Sequence, residues 1–192
     1  MGYLQHTKCY LVGPVEHDKA FGRDWREVAA EECKSMGVVP YNPLDRPTWM
    51  KHIEPYIPIS VSRDEVLDRI ENNDKESERY ILAQEFVRHI CSRYVHSSDF
   101  LLCYLPNAKT FGSTEEIVLA HQARKPIIMV CPDRIPSLWI YDLVKDQHVF
   151  KNIKEAFCYM HQINDGEVNL DVLKWIFIQD YPKLILESKY DW

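Results

Sequence analysis

The sequence predicts an α/β fold of the flavodoxin-like or Rossmann-like type, in which helices flank a parallel sheet, with a helical C-terminal extension. One observation is that short, continuously apolar segments, typical of buried parallel strands, alternate with amphipathic segments. The other is that Gly13 and Gly112 stand in turns just past a strand or at the start of a helix. Because ligands bind at the carboxyl ends of such strands, we expect both turns to face one crevice.

The elements follow from apolar periodicity and from capping residues. Four strands are predicted, over CYLVGP (9–14), VVPYNP (38–43), SSDFLLCYLP (97–106) and PIIMVCP (126–132). Helices are predicted over 23–37, from Ser62, from Ile81 to about Val95, from Ser113, over KNIKEAFCYMHQI (151–163) and near LDVLKWIFIQ (170–179). Asp24 and Glu27 form a candidate capping box for the first helix.

The composition narrows the class of protein. A chain of 192 residues is most simply one domain, with or without an insertion. The N-terminal segment lacks the features of a signal peptide, and no uncharged apolar run is long enough to cross a bilayer. A net charge of −6 argues against binding a nucleic-acid backbone, which requires a clustered basic surface. We therefore expect a cytoplasmic protein that has neither a membrane nor a nucleic-acid partner.

The cysteines and histidines do not indicate a metal site. The six cysteines are scattered without a C-x-x-C pair, and several lie in apolar strand-like runs, as free thiols do in a reducing compartment. Glu16, His17 and Asp18 are adjacent, but no partner cluster accompanies them, so a polar loop is expected there. We expect neither a metal nor a cofactor.

The stretch FGSTEEIVLAHQARKPIIMVCP (111–132) carries the most specific chemistry. Ser113 and Glu116 fit the S-x-x-E capping box, in which the serine caps a helix and the glutamate reaches back to its amide. The same position, near the positive end of the helix dipole, also suits an ionised nucleophilic carboxylate. The residues alone leave both interpretations open.

Several other side chains are candidates for binding a substrate. Arg23 could hold a phosphate and Trp25 could stack on a base, while the alternative for Trp25 is a core position on its helix. Ser113 could meet a phosphate at its helix start, as Arg46 could in the loop after the second strand.

Four short motifs, in this order on the β/α pattern, give the sequence a resemblance to the nucleoside 2-deoxyribosyltransferase family, which includes nucleotide N-glycosidases. The motifs are YLVGP (10–14), SDFLL (98–102), GSTEEI (112–117) and KPIIMV (125–130). The resemblance runs from about residue 9 to 131 and leaves about 134–192 as a helical extension. It implies a single α/β domain and a homodimer or larger assembly, for which the aromatic tail at 190–192 is a candidate contact.

The resemblance also implies roles for individual residues. The family's nucleophilic glutamate, counted from Gly112, falls on Glu116, and the tyrosine that supports it falls on Tyr10. The small residues that approach the sugar or phosphate fall on Gly13 and Pro14. The implied reaction is cleavage or exchange of the N-glycosidic bond of a (deoxy)nucleoside or its 5′-monophosphate, through a covalent glycosyl ester.

One position departs from the family pattern. An aspartate that serves the base and sugar is expected where this chain has Cys91, and Asp99 matches only the second, more often structural, aspartate. The alternative function is therefore a nucleotide-binding protein of the same fold whose catalysis is lost or weakened.

Overall fold

The computed structural model describes residues 2–15, 22–45, 63–72, 77–106, 110–135, 137–144, 149–171 and 173–178. Within them, five parallel strands form one sheet in the order β2-β1-β3-β4-β5. The strands are β1 (Lys8–Val12), β2 (Val39–Tyr41), β3 (Phe100–Tyr104), β4 (Ile127–Val130) and β5 (Val149–Phe150). The helices are α1 (Arg23–Ser35), α2 (Arg63–Glu71), α3 (Ser77–Ser97), α4 (Phe111–Gln122), α5 (Leu138–Leu143) and α6 (Ile153–Asn164). This architecture confirms the predicted flavodoxin-like α/β fold, with α5 and α6 in the C-terminal part of the chain.

The chain divides into two compact units. The first comprises residues 1–42 and 94–192 and contains the sheet. The second, Pro43–Arg93, contains α2 and most of α3. The single domain expected over residues 1–192 stays a prediction.

The strand order creates a switch point between β1 and β3. The chain passes from β1 to β2 on one side and then returns to place β3 on the other side of β1. The register pairs Tyr10 with Leu101 and Val12 with Cys103. Because ligands of open α/β sheets bind where the strand order reverses, the carboxyl ends of β1 and β3 mark the expected crevice.

The two faces of the sheet have different partners. One face carries Cys9 and Leu11 of β1, and it packs on residues of α1 and α6, such as Ala29 and Met160, in a single hydrophobic core. Alternate strand residues point to the other face. Tyr10 lies on that face, where its hydroxyl contacts α4. We call this second face the Tyr10 face.

Helix α1 starts without the predicted capping box. Its N-cap is Gly22, which has a left-handed φ of 65° and makes no side-chain capping bond. A residue without Cβ adopts this conformation readily, so the N-cap lies two residues earlier than the Asp24–Glu27 pattern indicates.

The C-terminal region corrects two predictions. Residues 149–150 form a strand that the sequence pattern did not indicate. The helix predicted near 170–179 is wrong, because the described residues from Leu173 to Ile178 form turns. Successive turns allow Trp175 and Phe177 both to contact Phe100, with their ring centroids 5.7 and 6.4 Å from the Phe100 centroid. In a helix, side chains two residues apart point about 200° apart and could not share that contact. Among the described residues, no helix is long and apolar enough to span a membrane.

Candidate active site

The N-cap of helix α4 lies three residues before the predicted cap. Thr110 is the N-cap, and its Oγ1 accepts a hydrogen bond from the Ser113 amide at 3.2 Å. Thr110 Oγ1 also donates to Ser113 Oγ at 2.9 Å, and Ser113 is buried. The predicted Ser113–Glu116 capping box is therefore wrong, because Ser113 lies inside the first turn and Glu116 in the second.

Glu116 instead meets the side chain predicted to support it. The Tyr10 hydroxyl donates a hydrogen bond of 2.7 Å to Glu116 Oε1. Tyr10 is fully buried in the middle of β1, and Glu116 is half-buried. The two residues, 106 positions apart in the sequence, thus join β1 to α4 on the Tyr10 face.

The carboxylate lies over the switch point. Burial, and to a smaller extent the nearby Glu116, raises the pKa of the Cys103 thiol well above its ordinary value. Cys103 pairs with Val12 near the carboxyl end of β1. Glu116 therefore lies close to the end of the sheet at which the strand order reverses.

Two further tyrosines extend the Tyr10 face. The Tyr94 ring lies 5.7 Å from Tyr10 and 5.1 Å from Tyr41, measured between ring centroids. The rings of Tyr94 and Tyr41 are both half-buried. Sequence analysis assigned no functional role to either Tyr94 or Tyr41. The parallel pairing of Tyr10 with Tyr41, which puts both on one face, is a property of the register.

Gly13 is held in a tight enclosure at the end of β1. A Cβ at this position would lie 2.7 Å from the Tyr104 carbonyl oxygen and 2.8 Å from Trp25 Cζ2. Gly13 and Pro14 are both buried. Only glycine fits here without a shift of backbone or indole, which agrees with a turn that other groups approach closely.

Trp25 forms one wall of that enclosure. Its ring stacks on Tyr104 with centroids 5.3 Å apart, and it packs against the hydrophobic core. Its Nε1 is buried and has no hydrogen-bond partner in the described part of the chain. The structure thus places Trp25 at the core position that was its alternative role, and base stacking stays a prediction.

Among the described residues, Arg26 is the arginine whose side chain contacts this turn, and a phosphate-binding role for Arg23 stays a prediction. Arg23, the first residue of α1, is exposed. Arg26 is 1% exposed and donates to backbone carbonyls around the β1–α1 connection. Sequence reasoning missed Arg26 because a charged residue is rarely assigned to the buried face of a helix.

Asp99 lies at the opposite end of the sheet from Gly13. Its carboxylate accepts a hydrogen bond of 2.7 Å from the Lys8 amide, and its own amide donates to the Lys8 carbonyl at 2.8 Å. Lys8 is the first residue of β1 and Asp99 directly precedes β3, so this pair links the amino ends of the two strands. Asp99 thus contacts Lys8 at the start of β1, whereas Glu116 on α4 contacts Tyr10 further along the same strand.

The remaining predicted residues are placed as follows. Gly112 is exposed, and a Cβ there would meet nothing within 4 Å, so the backbone does not require glycine at this position. Cys91 is half-buried on α3 in the second unit. Arg46 and the segment 16–18 lie outside the described residues, as does the aromatic tail at 190–192. Within the described ranges, no group of three or more His, Cys, Asp or Glu side chains could hold a metal ion.

Two solved structures share this fold. One is a 2-deoxyribosyltransferase from Bacillus psychrosaccharolyticus, with 18% identity, a TM-score of 0.50, and coverage of 87% of this chain and 96% of that chain. The other is a 2-deoxyribosyltransferase from Leishmania mexicana, with 15% identity, a TM-score of 0.51, and coverage of 80% and 96%. No protein-family model and no curated protein matches the chain. At these identities the similarity establishes the fold.

Proposed function

We propose that the protein cleaves or exchanges the N-glycosidic bond of a (deoxy)nucleoside or nucleoside 5′-monophosphate, with Glu116 as the nucleophile. The observation that carries the proposal is the 2.7 Å hydrogen bond from the buried Tyr10 hydroxyl to Glu116 Oε1. The fold shared with two 2-deoxyribosyltransferases supports it, as does the motif order that resembles that family.

The hydrogen bond suits a nucleophilic carboxylate. A buried phenol that donates to one oxygen favours the ionised form of the carboxyl and fixes its orientation. In the proposed reaction, a carboxylate oxygen forms a bond to C1′, and the C1′–N bond breaks with its electron pair passing to the departing base, which takes up a proton. Water or a second base then attacks C1′ and frees the carboxylate, releasing a proton.

Gly13, Pro14 and Ser113 are proposed to bind the sugar or its 5′-phosphate. Gly13 and Pro14 follow β1, which carries Tyr10, and Ser113 lies one turn before Glu116 on α4. The second turn of α4 gives Glu116 less benefit from the helix dipole than the first turn would, since that effect falls off within one turn. The Tyr10 hydroxyl takes that place in stabilising the charge.

The direct test compares Glu116→Gln with Glu115→Gln. The purified protein is incubated with a panel of deoxynucleosides, their monophosphates and ribonucleotides, with and without an acceptor base, and free base is measured by chromatography. Glu116→Gln should lower the rate by at least about a thousandfold, because an amide cannot form the glycosyl ester. Its melting temperature should change little, since the amide oxygen still accepts from Tyr10.

Glu115→Gln is the matched control, because that side chain points about 100° away around the helix. Mass spectrometry of the quenched wild type should find the glycosyl adduct on the peptide that contains Glu116. Full activity in Glu116→Gln would refute the assignment of the nucleophile. Tight ligand binding by the wild type without base release would favour the alternative function, a nucleotide-binding protein with weakened catalysis, for which Cys91 is the supporting feature.

We also propose that the protein acts as a homo-oligomer in the cytoplasm. Exposed apolar side chains support an assembly, since Phe111, Leu138 and Trp139 are 87%, 85% and 84% exposed. The six cysteines, at 9, 33, 91, 103, 131 and 158, form no disulfide within the described residues, which is compatible with a reducing compartment. A monomer mass by light scattering at micromolar concentration would contradict the assembly.

A further inference from the structure

The side chain of Arg26 closes the connection between β1 and α1. Its guanidinium donates to the carbonyl of Gly13 at 2.6 Å, of Gly22 at 2.8 Å, of Pro14 at 3.3 Å and of Leu11 at 3.4 Å. Three of these carbonyls follow β1 in the chain or lie near its end, and the fourth belongs to the N-cap of α1. One side chain therefore ties both ends of the connection together.

The burial of Arg26 indicates that this arrangement is specific. The residue is 1% exposed, and a buried cation is tolerated only when its donors are satisfied. A guanidinium offers five N–H donors in a rigid planar fork, and all three of its nitrogens are used here. A lysine ammonium has three donors on one atom and cannot reach carbonyls on both sides of the connection.

Gly13 is fixed from two directions. Its carbonyl takes the shortest of the Arg26 hydrogen bonds, and its Cα faces the Trp25 ring and the Tyr104 carbonyl. The Arg26 guanidinium lies 4.6 Å from the centroid of the Trp25 ring, so the same cation also fixes that wall. The turn that follows β1 is thus held by Arg26 on one side and by aromatic packing on the other.

We propose that Arg26 is a positioning residue for the reaction, which acts through Gly13 and Pro14 and does not touch the substrate. The inference rests on the proposed function, in which those two residues approach the sugar or phosphate. The hydrogen bond between Tyr10 and Glu116 lies on the Tyr10 face and shares no atom with the Arg26 contacts. Loss of Arg26 should therefore weaken substrate binding more than it slows the chemical step.

The test is Arg26→Lys, with Arg69→Lys as the matched control. Arg69 lies on α2, where its half-buried side chain pairs with Glu65 at 2.8 Å, and the same substitution there should leave both KM and kcat unchanged. With the best substrate of the wild type, Arg26→Lys should raise KM about tenfold, the change expected when roughly one or two net hydrogen bonds are lost. The kcat for each active site, counted from the trapped glycosyl adduct, should stay within about threefold.

Gly22→Ala is a second variant that keeps the guanidinium. Gly22 has a φ of +65°, and a Cβ there would overlap Arg26 Nη1 and the Pro14 carbonyl. It should raise KM in the same way, although the positive charge is retained. If Arg26→Lys does not fold, this variant decides the matter.

Each result has one meaning. A folded variant that keeps the wild-type KM overturns the inference. If the fraction of active protein is also normal, Arg26 acts only by its charge; if that fraction is lowered, Arg26 has a purely structural role. A fall in kcat that exceeds the rise in KM also overturns it. A wild type that releases no base overturns the proposed function and this inference with it.

Discussion

Replacing Tyr10 with phenylalanine isolates the contact on which the proposed nucleophile depends. The substitution removes one hydroxyl, which donates to Glu116 Oε1 at 2.7 Å, and keeps the ring that lies 5.7 Å from Tyr94. A hydrogen bond to a charged group contributes about 1.5–3 kcal/mol. At about 1.4 kcal/mol for each factor of ten, kcat/KM should fall by roughly 10- to 150-fold if the reaction requires that bond.

The cost to stability should be smaller than the cost to activity. Phe fills the buried site almost completely, and half-buried Glu116 can recover part of its solvation from water. We expect a loss in the free energy of unfolding of about 0.5–1.5 kcal/mol, measured by urea denaturation. Such a loss leaves the protein folded at the assay temperature, so the rate change reports on the site.

Tyr159→Phe is the control for the loss of a phenol elsewhere. Tyr159 packs on Phe150 at 5.2 Å beside the hydrophobic core formed with α1 and α6, so its activity should match the wild type. A Tyr10→Phe enzyme with wild-type kcat/KM would show that the hydroxyl does not support the nucleophile. An equal loss in both variants would show that the effect is one of general packing.

Two further predictions concern residues that directly follow strands of the same sheet. Gly13→Ala should raise the KM of the wild-type substrate by about tenfold or more, because its Cβ would meet the Tyr104 carbonyl at 2.7 Å and the Trp25 ring at 2.8 Å; an unchanged KM would contradict the close approach. Burial raises the pKa of Cys131 from 9.0 to about 11, so the folded state holds this proton more tightly than the unfolded state. The stability that this provides is present below pH 9 and is lost as the pH rises towards 11, and urea unfolding across that range should show a shallower loss in Cys131→Ala than in the wild type.

Three of the four strands that were predicted correctly are long apolar runs, whereas β2 is exposed to half-buried. β1, β3 and β4 are runs of apolar residues that are buried on both faces, and this pattern needs no knowledge of the neighbours. β5 has only two residues, both half-buried, and it forms by pairing with β4 at the edge of the sheet. A pairing of that length leaves no periodic signal.

Helix α1 shows how a correct element can be given the wrong buried face. Its apolar residues at 25, 28, 29 and 33 indicate one buried stripe, whereas the buried residues are Arg26, Ala29, Ala30 and Cys33. The observed set has the ideal i, i+3, i+4, i+7 spacing, and Val28 is 55% exposed. The first residue of this set is Arg26, which the apolar pattern does not include. Its burial depends on hydrogen bonds to carbonyls of the β1–α1 connection, and the sequence does not show where those carbonyls lie. The regular spacing of the other three residues was the available signal.

At the start of α4, the predicted N-cap was wrong, but the prediction that Glu116 contacts Tyr10 agrees with the structure. Thr110 and Ser113 both satisfy the residue preference for an N-cap, and only the structure decides for Thr110. The S-x-x-E spacing nevertheless places Glu116 three residues from buried Ser113 and four from buried Ala120, on the stripe that faces the sheet. Because of this spacing, the Glu116 side chain lies on the side of α4 that faces β1. The partner it meets there, Tyr10, is 106 residues away, and no local pattern connects the two. Only the resemblance of the motif order to a known family indicated that pair, in which Glu116 accepts a hydrogen bond from a strand tyrosine.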